Sequence, residues 1–292
     1  MYQVTLIGAP NQERLNMSVL DSLRHAWGGG DAVWLSHAEA AEFPIETIPS
    51  NQWQVWQDFQ NMGIDMIVQP SAKRRKKMVL ADMDSTMIQQ ECIDELADEV
   101  GVGDRVKEIT ARAMNGELDF EAALDERVAL LAGQPAHIID KVLKERIKFM
   151  PGGHILIATM KAGGAYAALV SGGFTAFTHK VAGTLGFDEH HANTLLVEGG
   201  NLSGKVARPI LGRQAKVEQL EKITAKLGLS ENDVIAVGDG ANDLGMLGRA
   251  GTGVALHAKP AVQVECTVRV NHGDLTALLF LQGYSRDEFC GL

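Results

Sequence analysis

The chain is 292 residues long, 46% hydrophobic and 22% charged, with a formal charge of −10; that length suggests about two domains with ordinary apolar cores. The acidic balance excludes a broad nucleic-acid footprint, which needs surplus lysine and arginine, and no apolar run approaches the roughly 18 residues of a membrane span. Cys92, Cys266 and Cys290 are too scattered for a metal-ligand pair or a disulfide framework, which suits a reducing compartment.

From the N-terminus, MYQVTLIGAPNQERL lacks the basic n-region of a signal peptide, so a soluble, cytoplasmic chain is expected. QVTLIGA reads as a strand. Residues 12–27, QERLNMSVLDSLRHAW, read as an amphipathic helix, with Leu15, Val19, Leu20, Leu23 and Trp27 near helical spacing. After the glycines at 28–30, AVWLS reads as a second strand. WQVWQDFQNMG reads as a helix ending on Gly63, and DMIVQ as a strand. This order predicts a small α+β unit over residues 1–70. It carries no catalytic constellation. An unpaired sheet edge there would need cover, which makes a homodimer through this unit an expectation.

Residues 71–77, SAKRRKK, include five consecutive basic residues. The stretch reads either as a nucleic-acid or localisation patch or as a solvated linker, and the acidic charge elsewhere favours the linker. From residue 78, strands and helices alternate. MVLAD, YAALVS (166–171), VIAVGD (234–239) and TGVAL (252–256) are short apolar strands with helices between them. That is the pattern of a parallel sheet covered on both faces. NTLLVEGGNLSGKV (193–206) reads as two strands around Gly199-Gly200. Residues 88–150 read as helical throughout, with one stripe of Ile93, Leu96, Ala97 and Val100 and another of Phe120, Leu124, Val128 and Leu131. The expectation is an α/β fold: a doubly wound parallel sheet over 78–87 and 151–292, with a helical insertion at 88–150 after its first strand.

Open α/β sheets bind ligands at the carboxyl ends of their strands. Three strand ends here are polar: Asp82-x-Asp84, followed by Ser85 and Thr86; Ser171-Gly172-Gly173; and Asp239, followed by Gly240-Ala241-Asn242-Asp243. Brought together, they put four carboxylates, a hydroxyl and a Gly-rich turn in one crevice. A single such Asp is as well explained by a helix cap or a turn. The cluster needs a cation to offset its repulsion. Oxygen donors suit a hard ion, and Mg²⁺ uses one or two carboxylates with a substrate phosphate. Lys216 lies near the start of a helix with the stripe Val217, Leu220, Ile223, Leu227. A cation there opposes the helix dipole. It reads either as an exposed lysine or as one that shares an anion with the helix N-terminus. His190 and His191 do not make a metal pair, because neighbours on a strand point to opposite faces. Cys92 has no base beside it and reads as core.

In order, DMDST, LVSGG, Lys216 and GDGAND resemble the haloacid dehalogenase superfamily of phosphotransferases, over residues 78–256. DMDSTMIQQECIDELA, ITARAMNGELDFEAALDERVALL, LVSGGF and VGDGANDLGML are similar to the phosphoserine phosphatase branch of that superfamily. The resemblance implies a Rossmann-like core, a helical cap over the site, and Mg²⁺-dependent hydrolysis of O-phospho-L-serine, the last step of serine synthesis. It implies Asp82 as nucleophile, forming an aspartyl-phosphate, and Asp84 as general acid and then base. Two near carboxylates split their pKa values, which permits that division. It implies Mg²⁺ held by Asp82, the Asp84 carbonyl and Asp239, with Asp243 behind a bound water. Ser171, the Gly172 amide and Lys216 would hold phosphoryl oxygens, and Asn242 would support the far side.

In the cap, the resemblance implies that Glu91 pairs the substrate ammonium and Arg127 its carboxylate, under an apolar lid of Met114 and Phe120. The residues alone leave Glu91 open to a solvated face with Glu95 and Asp98. They leave Arg127, seven residues after Phe120, open to snorkelling over apolar surface. A rival substrate is phosphohomoserine or a sugar phosphate; a sugar would give Glu91 and Arg127 nothing to meet. A regulatory module on a dead phosphatase fold would lack Asp82, Asp84 or Lys216, and all three are present. Longer members carry small amino-acid-binding domains, so residues 1–70 are expected to be ACT-like, with serine as effector.

Overall fold

A computed structural model describes residues 1–114 and 117–292, with the backbone alone at Met114. The N-terminal unit runs β1 (Tyr2–Gly8), α1 (Met17–Ala26), β2 (Val33–Ser36), β3 (Ala40–Ile45), α2 (Gln52–Asn61) and β4 (Ile64–Pro70). Its antiparallel sheet has the order β2-β3-β1-β4, a split β-α-β arrangement. Val4, Leu6, Phe43, Met66 and Val68 pack on Leu20 and Leu23 of α1 and Phe59 of α2. On the opposite face Ile7, Leu35, Ala40 and Ile67 join the apolar cluster of the larger sheet. The two-residue period of the strands thus buries both faces and seats this unit on the rest of the chain. Helix α1 begins at Met17 rather than at residue 12. Asn16 caps it, accepting from the Val19 amide at 3.1 Å. Asn11 and Glu13 hold positive φ, which a right-handed helix cannot contain.

The rest of the chain runs β5 (Met78–Ala81), α3 (Cys92–Glu99), α4 (Gly103–Met114), α5 (Phe120–Ala129), α6 (Ile138–Glu145), α7 (Gly153–Ala162), β6 (Tyr166–Phe174), α8 (Thr175–Leu185), β7 (Glu189–Asn193), β8 (Leu195–Glu198), β9 (Asn201–Val206), α9 (Arg213–Leu227), β10 (Val234–Gly238), α10 (Leu244–Arg249), β11 (Thr252–Leu256), α11 (Pro260–Gln263), β12 (Val268–Val270) and α12 (Ala277–Leu281). Six strands form a parallel sheet of order β12-β11-β10-β5-β6-β7. The chain leaves β5 toward β6 and β7, then returns to β10 on the other side. Strands β5 and β10 therefore flank the switch point, where such sheets bind ligands. Alternation puts Val79 and Ala81 against the cluster that holds Leu156 of α7 and Phe177 of α8. It puts Met78 and Leu80 against Leu220 and Ile223 of α9. Both faces are covered, as the apolar strands predicted.

Helices α3 to α6 form the insertion between β5 and α7. Helix α5 packs on the β8–β9 hairpin, where Gly204 has positive φ and a Cβ would stand 2.7 Å from Ala132 Cβ. Strands β7 and β12 carry little sequence signal. The first is a polar edge, EHHAN, and the second spans three residues. Among the described residues, no helix is long and apolar enough to cross a membrane.

The basic stretch is exposed at Ala72, Lys73, Arg75 and Lys77, yet most of its charges find partners. Arg74 grips Glu42 with hydrogen bonds of 2.5 and 2.9 Å. Arg75 bonds Glu288 at 2.7 Å and stacks over Tyr284 at 4.0 Å. Lys76 donates to the Asn232 carbonyl, and Lys77 pairs with Asp233. The partners come from segments distant in sequence, so charge pattern alone could not reveal them.

Candidate active site

Asp82 follows β5 and Asp239 follows β10, the strand beside it. The Asp82 amide donates to the Val237 carbonyl at 3.0 Å, which ties the two strand ends together. Lys216, at the start of α9, is fully buried. It shares the inward face of that helix with Leu220 and Ile223, four and seven residues on. Its Nζ lies 2.6 Å from Asp82 Oδ1 and 2.6 Å from Asp243 Oδ1. The contact to Asp243 is a hydrogen bond. The one to Asp82 is an ion pair. Asp243 Oδ2 accepts from the Gly240 amide at 3.0 Å. That turn needs Gly238, where a Cβ would collide with the Asp243 carboxylate.

The charge balance is unfavourable without help. Burial, then Asp243, pushes the Asp82 carboxyl well above the ordinary range, against the pull of Lys216. Burial would lower the Lys216 ammonium, but Asp82 and Asp243 outweigh it and hold it above its usual value. Burial and then Glu91 push Asp84 up to about 7. Burial and then Asp243 push Asp239 up to about 6. Oxygens of Asp82, Asp239 and Asp243 lie within 4.8 Å of one another. Both Asp243 oxygens are engaged, which leaves Asp82 and Asp239 as open donors. An all-oxygen set with surplus negative charge fits a hard divalent cation such as Mg²⁺.

The remaining site residues gather around this pair. Asp84 Oδ1 accepts from the Cys92 amide at 3.3 Å, at the start of α3. Cys92 is buried, as expected of core. Ser171 is buried, and its Oγ accepts from the Gly173 amide at 2.8 Å, so its own O–H can donate elsewhere. Phe120, at the start of α5, lies across the strand-end loops. A Cβ on Gly172 would come 3.2 Å from Phe120 Cζ, and one on Gly212 3.3 Å from its Cδ1. Arg127 is half-buried on the same helix, its Nε donating to the Ala123 carbonyl at 3.1 Å. Burial lowers its pKa, opposed by Asp94, Glu91 and Asp84, so the guanidinium shares the field of the site. Glu91 is exposed and accepts from Ser85 Oγ at 2.8 Å. Asn242 is half-buried in the turn after β10. The side chain of Met114 lies outside the described residues. Thr86, fully buried, makes a long 3.5 Å hydrogen bond to Asp239. Its place in DMDST is visible in the sequence, but only its burial shows that it faces β10. His190 and His191 pair with Leu169 and Val170 on β6, away from these carboxylates.

The model of the haloacid dehalogenase-like hydrolase family matches residues 79–248. A phosphoserine phosphatase from Streptomyces coelicolor is 43% identical over 229 residues, which are 78% of this chain and 56% of that protein. The chain thus spans little more than half the length of that relative. A solved phospho-aspartyl intermediate analogue of phosphoserine phosphatase is 41% identical, with a TM-score of 0.66, over 70% of this chain and 98% of that one. A probable phosphoserine phosphatase from Vibrio cholerae, in an unliganded crystal structure, is 28% identical with a TM-score of 0.79. That likeness covers 98% of this chain and 88% of the other, so it includes the N-terminal unit.

Proposed function

We propose that this chain, which belongs to the haloacid dehalogenase-like hydrolase family, hydrolyses O-phospho-L-serine to serine and phosphate through an aspartyl-phosphate on Asp82. The observation that carries this reading is the buried Lys216 ammonium, 2.6 Å from Asp82 at the switch point of the sheet. A buried strand-end carboxylate beside a buried cation suits a nucleophile meeting an anion.

Asp82 attacks phosphorus. Asp84, with its carboxyl at about 7, holds the proton that the leaving alkoxide takes and then receives one from the attacking water. Ser171, the Gly172 amide and Lys216 hold the phosphoryl oxygens as charge builds on them. Asp243 orients Lys216, and Asn242 borders the phosphate. Asp82, Asp239 and the Asp84 carbonyl hold Mg²⁺, which when bound offsets the charge of the carboxylates and the phosphate. Glu91 and Arg127 take the ammonium and carboxylate of the substrate, beneath Phe120. Residues 88–150 are the cap, 78–87 and 151–292 the catalytic core. Residues 1–70 are an ACT-like regulatory domain whose effector is serine, and absence of serine binding to the full chain in isothermal titration would remove that assignment.

The test is phosphate release from phosphoserine, phosphothreonine, phosphohomoserine and a sugar phosphate, with Mg²⁺ or chelator, for wild type and Asp82→Asn. A Mg²⁺-dependent preference for phosphoserine, lost in Asp82→Asn, is expected. Activity on the others but not on phosphoserine would overturn the roles of Glu91 and Arg127.

A further inference from the structure

Asn193 ends β7, beside the last residues of β6, and is 3% exposed. Its side chain spans two segments. Nδ2 donates to the Gly172 carbonyl at 2.9 Å and to the Leu211 carbonyl at 3.2 Å, and Oδ1 accepts from the Leu211 amide at 2.7 Å. The Gly172–Gly173 peptide is thereby held at both ends, because its N–H donates to Ser171 Oγ at 2.8 Å. Leu211 immediately precedes Gly212, the N-cap of α9, and α9 carries Lys216. One amide side chain therefore joins the end of β6 to the start of α9. Those are the two halves of the anion site.

We infer that Asn193 is a positioning residue for phosphoryl transfer: it locks the Ser171-Gly172 end of β6 to α9, so that both present one rigid cradle to the phosphate. The inference rests on the phosphatase reading above. A hydroxyl or a methyl group at this position could not bridge two backbone segments in three hydrogen bonds. Loss of the bridge loosens the phosphate end of the site and leaves the groups that grip the amino-acid end in place. The effect therefore falls on kcat and on phosphate affinity, not on serine affinity.

Asn193→Asp keeps an acceptor for the Leu211 amide and removes both donations. Asn193→Ala removes all three bonds. Phosphoserine hydrolysis by each variant is measured with inorganic phosphate and L-serine titrated separately as product inhibitors, alongside thermal unfolding. Since a misplacement of about 1 Å costs on the order of 100-fold, kcat is expected to fall about 10- to 100-fold, the phosphate inhibition constant to rise about tenfold, and that of serine to change less than about twofold. If the alanine variant does not fold, Asn193→Asp carries the same split. Weakening of both inhibitors together, in step with Tm, would mark a merely structural residue and overturn the inference. So would variants that match wild type within about twofold in kcat and phosphate affinity, if the wild type is active. A wild type that releases phosphate from no monoester overturns the phosphatase reading and this inference with it.

Discussion

Gly173 stands where an added side chain would press on the site. A Cβ there would lie 2.6 Å from Asp84 Oδ2 and 3.0 Å from Ser171 Oγ. Both neighbours are polar atoms of the site, so relief of the clash moves the proposed acid or the hydroxyl proposed to bind phosphate. Overpacking of this kind costs about 1–3 kcal/mol, while a shift of about 1 Å in catalytic groups costs on the order of 100-fold in rate. Gly173→Ala is therefore expected to stay folded and lose about 100-fold in kcat; a variant near wild type in kcat would show that Asp84 is not held against this loop. Lys216 poses the opposite case. It is the buried cation between Asp82 and Asp243, and Lys216→Met leaves both carboxylates uncompensated. Breaking a buried pair in this way costs about 3–5 kcal/mol. A divalent cation and Lys216 offset the same charge, so Mg²⁺ is expected to raise Tm more in the variant than in the wild type. Equal shifts in the two proteins, measured by calorimetry with Mg²⁺ and with chelator, would separate the cation from these carboxylates.

At the scale of elements, the turn into β10 gives a test by pH. Asp233 Oδ2 accepts from the Ser230 amide at 3.0 Å and from Ser230 Oγ at 2.8 Å, closing the short turn Glu231–Asp233, and Lys77 lies 3.2 Å from Oδ1. The Ser230 amide, then its hydroxyl, then Lys77 hold the Asp233 carboxyl down at about 2. A folded value below the unfolded one stabilises the fold above about pH 4, and that contribution is lost as pH falls through about 2. Asp233→Asn is expected to lower Tm near neutral pH, with the gap to wild type narrowing below about pH 4. A constant gap would assign the effect to shape instead of charge.

The same turn shows what was legible. VIAVGD announced β10 because a strand buried on both faces is a continuous apolar run, and MVLAD and TGVAL announced β5 and β11 for the same reason. EHHAN gave His190 and His191 a strand but no place in the main sheet, because an edge strand has no need of an apolar run, and so the bridging role of Asn193 was invisible. Asp82, Asp84, Ser171 and Asp239 were legible as strand-end polar groups. The burial of Lys216 was readable only in part, from its spacing to Leu220 and Ile223. The grip of Arg74 on Glu42 was not readable at all, since it joins residues 32 apart across a tertiary contact.

On the scale of the whole molecule, Asp65 of β4 clasps the N-terminal unit to the core. Its buried carboxylate accepts from the amides of Asn271 at 2.8 Å, His272 at 2.9 Å and Gly273 at 2.8 Å, in the segment after β12. Three successive amides form an anion-binding nest. Around it, Gln69 donates to the Leu281 carbonyl at 2.6 Å, and Arg269 stacks over Trp53 at 4.1 Å and Trp56 at 5.0 Å. Each buried amide left without an acceptor costs about 1–3 kcal/mol, though not additively. The shared apolar contacts of Ile7, Leu35, Ala40 and Ile67 oppose separation. Asp65→Ala is expected to uncouple the two units. The N-terminal unit then opens first, as a sub-global unfolding step, seen as a second calorimetric transition and as faster proteolysis within residues 71–77. A single transition, displaced as a whole to lower temperature with no gain in cleavage there, would mean that the apolar contacts alone bind the two units into one cooperative fold.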